Sequence, residues 1–558
     1  LVRLLTTVVA LRCYLEQQRL LERKPEQQGR NDQFWDCGED GVASSSYPKH
    51  REVGLVPTMG ALHAGHLSLI EQARQENDIL IVSIFVNPLQ FGPTEDFQKY
   101  PRQLERDWQL CEDAGVDAIF APPPEELGIP SRSSSERSPM VQVIPPPEMT
   151  SGLCGRSRLG HFQGVATIVT KLFNLIEPQR AYFGQKDAQQ LAIIRRLVAD
   201  LNFPIEIVAC PIIREASGLA LSSRNQYLSL PGKQTAAVLY QGLRQAEQAF
   251  FGGERSRLGL VEAFQSQLTE YPEVQLEYID LVHPHTLMPL EQIEEIGLLA
   301  TAARIESTRL IDNLVLRDRA PIVAIDGPAG AGKSTVARQV ARALGLLYLD
   351  TGAMYRAVTW LVLQSGLALD DEVGIAELVS RASIDLTPTE VWINEQNVTQ
   401  AIRSIEVTSR VSAISAQRAV RRELVKQQQQ WGNKGGIVAE GRDIGTHVFP
   451  NAELKIFLTA SVQERARRRQ QDFSVQGEQS VSLQQLERDI SERDRADSNR
   501  SISPLRKAPD AIEIQSDRLS IAEVTERIVN LYQQKVMTSA LNGNNYIQKG
   551  QTIARSDL

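Results

Sequence analysis

The segment Ile322-Val-Ala-Ile-Asp-Gly-Pro-Ala-Gly-Ala-Gly-Lys-Ser-Thr335 constrains the fold of this chain more than any other. Ile322 to Ile325 reads as a buried strand, and Gly327-x-x-x-x-Gly332-Lys333-Ser334 follows at once. Helical apolar spacing then runs from Val336 to Leu344. Strand, glycine loop and helix in that order form a phosphate-binding P-loop. Gly327, Gly330 and Gly332 let backbone N–H groups turn toward phosphate oxygens, and the helix N-terminus adds partial positive charge. Lys333 is expected to reach the β- and γ-phosphates of ATP, with Ser334 on Mg²⁺ and Thr335 beside it. A domain of this kind normally opens with its P-loop, yet more than half of the chain precedes this one.

The bulk properties bound what that preceding part is. A chain of 558 residues suggests roughly two to four domains. A net charge of −8 argues against nucleic acid as the main partner, while local arginine clusters still suit phosphorylated small molecules. Cys13, Cys37, Cys111, Cys154 and Cys210 lack CxxC spacing, which fits a reducing cytoplasm and gives no zinc site. No apolar run reaches the ~18 residues of a membrane span, and Leu1 to Leu15 is interrupted by Arg3 and Arg12. A cytoplasmic protein without a membrane partner is expected.

Strand and helix patterns alternate from Leu1 to Ile213, which implies a parallel, doubly wound α/β sheet with ligands at the strand C-terminal ends. The expected division is a Rossmann-like domain over 1–229, a small α+β domain over 230–316, and a linker over 317–321. The P-loop domain follows over 322–540, with an inserted segment over 367–431, and a polar tail over 541–558. Glu22 to His50 is polar and reads as an exposed loop.

In the first half, His63 and His66 flank Gly65 at the first strand-to-helix turn. Two imidazoles at a helix start suit a triphosphate and can stabilise charge growing on a leaving pyrophosphate. Gly184-Gln185-Lys186-Asp187 offers a cation for phosphate and an acid for ribose hydroxyls or Mg²⁺. Leu221-Ser222-Ser223-Arg224-Asn225 offers hydroxyls and a guanidinium. Taken singly, each is more often a solvated loop than a site.

Together with Phe85-Val-Asn-Pro-Leu-Gln-Phe-Gly92, Gly160-His-Phe-Gln-Gly164 and Tyr182-Phe-Gly-Gln-Lys-Asp187, they resemble pantothenate synthetase (pantoate–β-alanine ligase) over Leu1 to Leu314. The resemblance implies that pantoate attacks the ATP α-phosphate, and that β-alanine then attacks the pantoyl adenylate. It places Met59, Gly60, Ala61, Leu62, His63, Ala64, Gly65 and His66 on ATP, with His66 and His63 catalytic. It places Gly184 to Asp187, Ile213 and Leu221 to Arg224 on ATP as well, with Lys186 and Arg224 stabilising phosphate charge. Gln90 and Gln190 fall on pantoate positions, with Asn87 beside them. Leu159 stands where the family commonly has proline. The family expectation is a homodimer through this part.

In the second half, Leu349-Asp-Thr-Gly-Ala-Met-Tyr-Arg356, Ala439-Glu-Gly-Arg-Asp-Ile-Gly-Thr446 and Arg493-Asp-Arg-Ala-Asp-Ser-Asn-Arg500 surround the P-loop. Several arginines near one P-loop suit the joined charge of ATP and a nucleotide acceptor. These stretches resemble bacterial cytidylate kinase over Pro321 to Lys535, which implies phosphoryl transfer from ATP to CMP or dCMP. Thr351, Arg356, Arg421, Arg442, Asp443, Arg493, Asp497 and Arg500 fall on its acceptor or lid positions. The fold expected overall is therefore α/β: a nucleotidyltransferase-type domain with a small α+β domain, then a P-loop NTPase domain of nucleoside monophosphate kinase type. No separate acidic Mg²⁺ ligand stands out. A rival makes the second half a nucleotide-sensing module regulating the ligase, and the intact Lys333 and arginine set speak against it. A second rival, another adenylyl transferase, is disfavoured by Gln90 and Gln190.

Overall fold

The computed structural model describes residues 2–20, 51–92, 95, 97–129, 140–387, 389–476, 482–498 and 503–540. The chain divides into two units, Leu1–Ala249 with Glu254–Arg317, and Phe250–Gly253 with Asp318–Leu558. The expected loop Glu22 to His50, the tail 541–558 and Arg500 lie outside the described residues.

The first unit holds β1 (Arg3–Leu5), β2 (Val53–Thr58), β3 (Ile79–Ile84), β4 (Ala118–Phe120), β5 (Arg180–Gly184) and β6 (Glu206–Cys210) in one parallel sheet ordered β1-β4-β3-β2-β5-β6. Its strands are near-continuous aliphatic runs because helices cover both faces. In β3, Ile79 and Ile81 pack into the core under the His161–Ile176 and Ala188–Asp200 helices. Leu80 and Val82, pointing the other way, pack under the Ala64–Glu76 helix. The strand order reverses between β2 and β5, and a crevice opens there at the strand ends.

The small domain adds an antiparallel sheet, β7 (Gln275–Val282), β8 (Ile296–Ile305) and β9 (Thr308–Arg317). Val282, Leu298 and Ala300 pack against Met149, Leu153 and Phe162, which fixes this sheet beside the crevice. Two helices, Leu230–Ala236 and Val238–Phe251, precede this sheet.

The expected linker 317–321 is corrected. Arg317 closes β9, and β10 (Ala320–Asp326) has already begun at Ala320, leaving only Asp318 and Arg319 between the strands. Ala320 is buried and pairs with Gly435, so it belongs to the second sheet.

In the second unit, β11 (Leu347–Asp350), β15 (Gly435–Gly441), β16 (Leu454–Thr459) and β17 (Ile512–Gln515) join β10 in a parallel sheet ordered β11-β15-β10-β16-β17. The P-loop strand is central. β12 (Ile384–Leu386), β13 (Val391–Ile393) and β14 (Gln396–Asn397) form a small antiparallel sheet within the inserted segment. It shares a core with the Thr351–Ser365 helix through Ile384, Ile393, Val358 and Val362. Among the described residues no helix is long and apolar enough to cross a membrane.

Candidate active sites

The first site begins with the turn after β2. Gly60 and Ala61 both take left-handed backbone angles, φ 78° and 52°. Asp107, buried on the Leu104–Asp113 helix, accepts the N–H groups of Ala61 and Leu62 at 2.8 Å each. Those two N–H groups are thus committed within the protein. Ala61 and Leu62 are buried turn residues. Gly60 shapes the turn and Ala64 opens the helix that follows it.

The turn delivers His63 to the N-cap of the Ala64–Glu76 helix, where its Nδ1 accepts the Gly65 N–H at 3.1 Å. An accepting Nδ1 puts the proton of the neutral ring on Nε2. The His63 and His66 rings lie 4.1 Å apart. Burial, then the Lys186 ammonium, brings His63 down to about 4. Burial, then His63 and Lys186, brings His66 to about 3. Both imidazoles are therefore uncharged at neutral pH. His66 Nδ1 is buried without a protein partner.

A second turn, Pro88–Gln90, follows β3. Asn87 caps it by accepting the Leu89 N–H, and its amide donates to Gln90 Oε1 at 3.1 Å and Gly164 O at 3.0 Å. Asn87 thus aims Gln90, whose amide nitrogen lies 3.2 Å from Met59 Sδ. His161 supports the same turn. Its Nε2 faces Arg158 Nη1 at 3.1 Å and must accept, so Nδ1–H donates to Gln90 O at 2.8 Å. Arg158 is held by Glu95 through two bonds of 2.7 and 2.8 Å.

One cavity of about 1060 Å³ brings these groups together. Met59, His63, Gly65 and His66 line one part of it; Asn87, Gln90 and Gln190 line another. Gly184, Lys186, Asp187, Ile213 and Leu221 to Arg224 complete the wall, and Arg309, Asp312 and Asn313 enter from β9. Gln185 is absent from the wall, and its carbonyl is tied to Asn313.

The second site is built on the loop after β10. Gly327, Gly330 and Gly332 have φ of 148°, 78° and 87°. At Gly327 a Cβ would stand 1.9 Å from Leu458 O, so the loop admits no side chain there. Lys333 Nζ donates to Pro328 O at 2.8 Å. Burial, then Arg442, lowers this ammonium to about 7. Burial raises Asp326 to about 7 even though it accepts the Ile444 and Gly445 N–H groups at 2.8 and 2.7 Å. Burial, then Glu440, raises Asp350 to about 6.

Glu440, at the end of β15, was not singled out from sequence. Its Oε1 accepts from Ser334 Oγ at 2.6 Å and Tyr348 OH at 3.2 Å. Its carbonyl accepts from Thr351 Oγ1 at 2.7 Å. An acid one strand away from the P-loop carries no local spacing signal, though its place beside Gly441-Arg442-Asp443 was visible. Asp107 and Asn313 were missed for the same reason. Among the described residues no three His, Cys, Asp or Glu side chains gather as a metal-binding group.

Arg442 Nε donates to Asp497 at 2.9 Å, and Arg356 Nη1 to Thr408 at 2.8 Å. Arg493 is lowered by burial, then by Arg442, so these cations crowd one region. Arg421 differs. It is 2% exposed, bonded to the equally buried Asp443 and set over the Tyr355 ring at 5.3 Å. Two further arginines escaped sequence reasoning in a basic run of the Val462–Gln476 helix. Arg465 binds Ala329 O in the P-loop and Asp494, and Arg468 Nη1 would stand 3.8 Å from a Cβ added at Gly332.

A doubly wound sheet with paired histidines at its switch point, joined to a P-loop sheet ringed by arginines, defines a protein with two separate nucleotide-using centres. The pantoate-beta-alanine ligase family matches residues 40–315, and the cytidylate kinase family matches residues 323–534. The bifunctional pantoate ligase/cytidylate kinase of Trichormus variabilis is 65% identical, over 96% of this chain and 99% of its own length. That of Trichodesmium erythraeum is 56% identical, over 95% and 97%. A solved pantothenate synthetase of Thermus thermophilus is 42% identical over 56% of this chain and 99% of its own, with a TM-score of 0.47. The chain belongs to the bifunctional pantoate ligase/cytidylate kinase family: it is an ATP-using enzyme with both activities.

Proposed function

We propose that the two centres work as independent ATP sites with the following division of roles. In the first unit a pantoate carboxylate oxygen attacks the ATP α-phosphorus and pyrophosphate leaves. The β-alanine amine then attacks the acyl carbon of the pantoyl adenylate and AMP leaves. Neutral His63 and His66 donate hydrogen bonds to the phosphates, and Lys186 and Arg224 balance the charge of the leaving pyrophosphate. Gln90 and Gln190 hold pantoate, with Asn87 aiming Gln90. The observation that carries this is the gathering of these groups, from the segments that follow four separate strands, around one cavity.

In the second unit the acceptor nucleotide's phosphate oxygen attacks the ATP γ-phosphorus in line, and ADP leaves. Lys333 takes the β- and γ-phosphates; Arg442, Arg493 and Arg356 take the acceptor phosphate; Asp497 with Arg500 serves sugar and lid. CMP and dCMP are the acceptors. The residues fit Mg²⁺ at Ser334, whose hydroxyl is oriented by the Glu440 carboxylate. Ser334 would hold the ion, which when bound would supply charge neutralisation to the phosphates. Asp187, on the cavity wall, serves the ribose hydroxyls or Mg²⁺. We further assign 1–229 and 230–316 to the ligase and the rest to the kinase, in a cytoplasmic homodimer.

Two variants of the full chain test this. Lys333→Ala is expected to abolish CMP phosphorylation and spare pantothenate formation, and His66→Ala to do the reverse. Loss of both activities in either variant refutes independent sites.

A further inference from the structure

We propose that Asp312 and Asn313 are positioning residues for adenylation: adjacent side chains on β9 that hold the two loops carrying Lys186 and Arg224. The inference rests on the reading of those two cations as phosphate ligands. Asn313 is buried, and its Nδ2 donates to both Gln185 O at 3.0 Å and Lys186 O at 2.9 Å. Gln185–Asp187 is a single 3₁₀ turn with no side-chain cap of its own. A primary amide supplies two N–H donors from one nitrogen, matching two neighbouring carbonyls; the same-sized carboxylate supplies none. The Lys186 backbone is thereby fixed, and the ammonium swings only about its own side-chain torsions.

Asp312, equally buried, takes both Nη groups of Arg214, at 2.6 and 2.9 Å. Arg214 also donates to Gly218 O at 3.1 Å, lies 3.9 Å over the Tyr240 ring, and bridges Ala220 through its backbone. One residue on, Leu221 N donates to Ile213 O at 2.9 Å. Arg214 is therefore the root of the hairpin that launches Ser222, Ser223 and Arg224. Consecutive residues of a strand point to opposite sides, so neighbours on β9 reach two different loops. The two side chains are also locked to each other, since Asp312 Oδ1 accepts the Asn313 N–H at 2.8 Å. Placing two phosphate cations within a fraction of an ångström is what such a brace contributes to rate.

The test uses the full chain and separates the half-reactions. Pyrophosphate release from ATP and pantoate reports adenylation. Pantothenate formation from supplied pantoyl adenylate and β-alanine bypasses it. Asn313→Ala is expected to slow the first by about tenfold to a hundredfold and the second by less than threefold, with CMP phosphorylation unchanged. Asn313→Asp keeps the shape and removes the donors, and is expected to slow adenylation at least as much. The ratio of half-reactions does not depend on the active fraction. An equal fall in both half-reactions, or loss of both in Asn313→Ala and in the donor-retaining Asn313→Ser, overturns the proposal and makes Asn313 a residue of the fold. Adenylation unchanged in Asn313→Ala also overturns it. Lys186→Ala runs alongside: adenylation surviving that change refutes the underlying site reading instead.

Discussion

Gly164 sits where the His161–Ile176 helix touches the Pro88–Gln90 turn. Its carbonyl accepts from Asn87, and a Cβ on it would stand 2.4 Å from the Leu89 carbonyl carbon and oxygen and 2.7 Å from Gln90 N. Ordinary contact begins near 3.4 Å, so Gly164→Ala forces the turn and helix apart by about 1 Å. Neither side yields cheaply, because the obstacle is backbone. Overpacking of this kind costs about 1–3 kcal/mol. The larger consequence falls on Gln90, which rides on the displaced turn; a ~1 Å misplacement of a positioning group costs up to ~10²-fold in rate. The assay is pantothenate formation with pantoate varied, with CMP phosphorylation by the same preparation as the internal standard. The expected result is a KM for pantoate raised at least ~tenfold and an unchanged kinase rate. A KM for pantoate within twofold of the parent would refute the idea that this contact sets Gln90.

Two further outcomes are expected. Burial and then Arg158 hold His161 at about 4, below its ordinary 6.5, so between those values the unfolded chain binds a proton that the native ring refuses. The His161 contribution to native stability is therefore flat above pH 6.5 and is lost as pH drops toward 4, by about 3 kcal/mol. Urea unfolding at pH 7 and pH 4, followed by loss of pantothenate formation on return to assay conditions, measures it. His161→Gln should reduce the difference, leaving the part due to His63 and His66, and an unchanged pH slope would show that the His161 ring does not contribute. Glu440→Gln, which weakens the acceptor facing Ser334, should lower the CMP phosphorylation rate by about 10- to 100-fold and raise the Mg²⁺ needed for half-maximal rate. Pantothenate formation should be untouched, and an unaltered Mg²⁺ requirement would count against the role given to Glu440.

What could be read from sequence was whatever chemistry is written locally. The P-loop and the His63-to-His66 turn carry their function in contiguous residues, so their placement at strand ends followed from pattern alone. β11 and β17 were missed because each has four residues, too few for a period to show. The supports were missed for another reason. Asp107 serves Ala61 from 46 positions away, and Asn313 serves Lys186 from 127 away. A carboxylate or amide that bonds distant backbone leaves no spacing signature. The family resemblance places Ala61 and Leu62 at ATP, and only the fold reveals that Asp107 takes their N–H groups.

The short passage from β9 to β10 bears on how this enzyme can be taken apart. Separate expression of the two activities permits a cut within Asp318-Arg319 and nowhere else nearby. A cut after Pro321, where a sequence-based linker would end, strips Ala320 from beside Gly435. Gly435 lies so close that a Cβ on it would stand 1.9 Å from Ala320 O. That cut would also remove Arg319 from its ion pair with Glu453. A kinase half begun there would start life with an unpaired strand end, and its poor behaviour would say nothing about whether it needs the ligase.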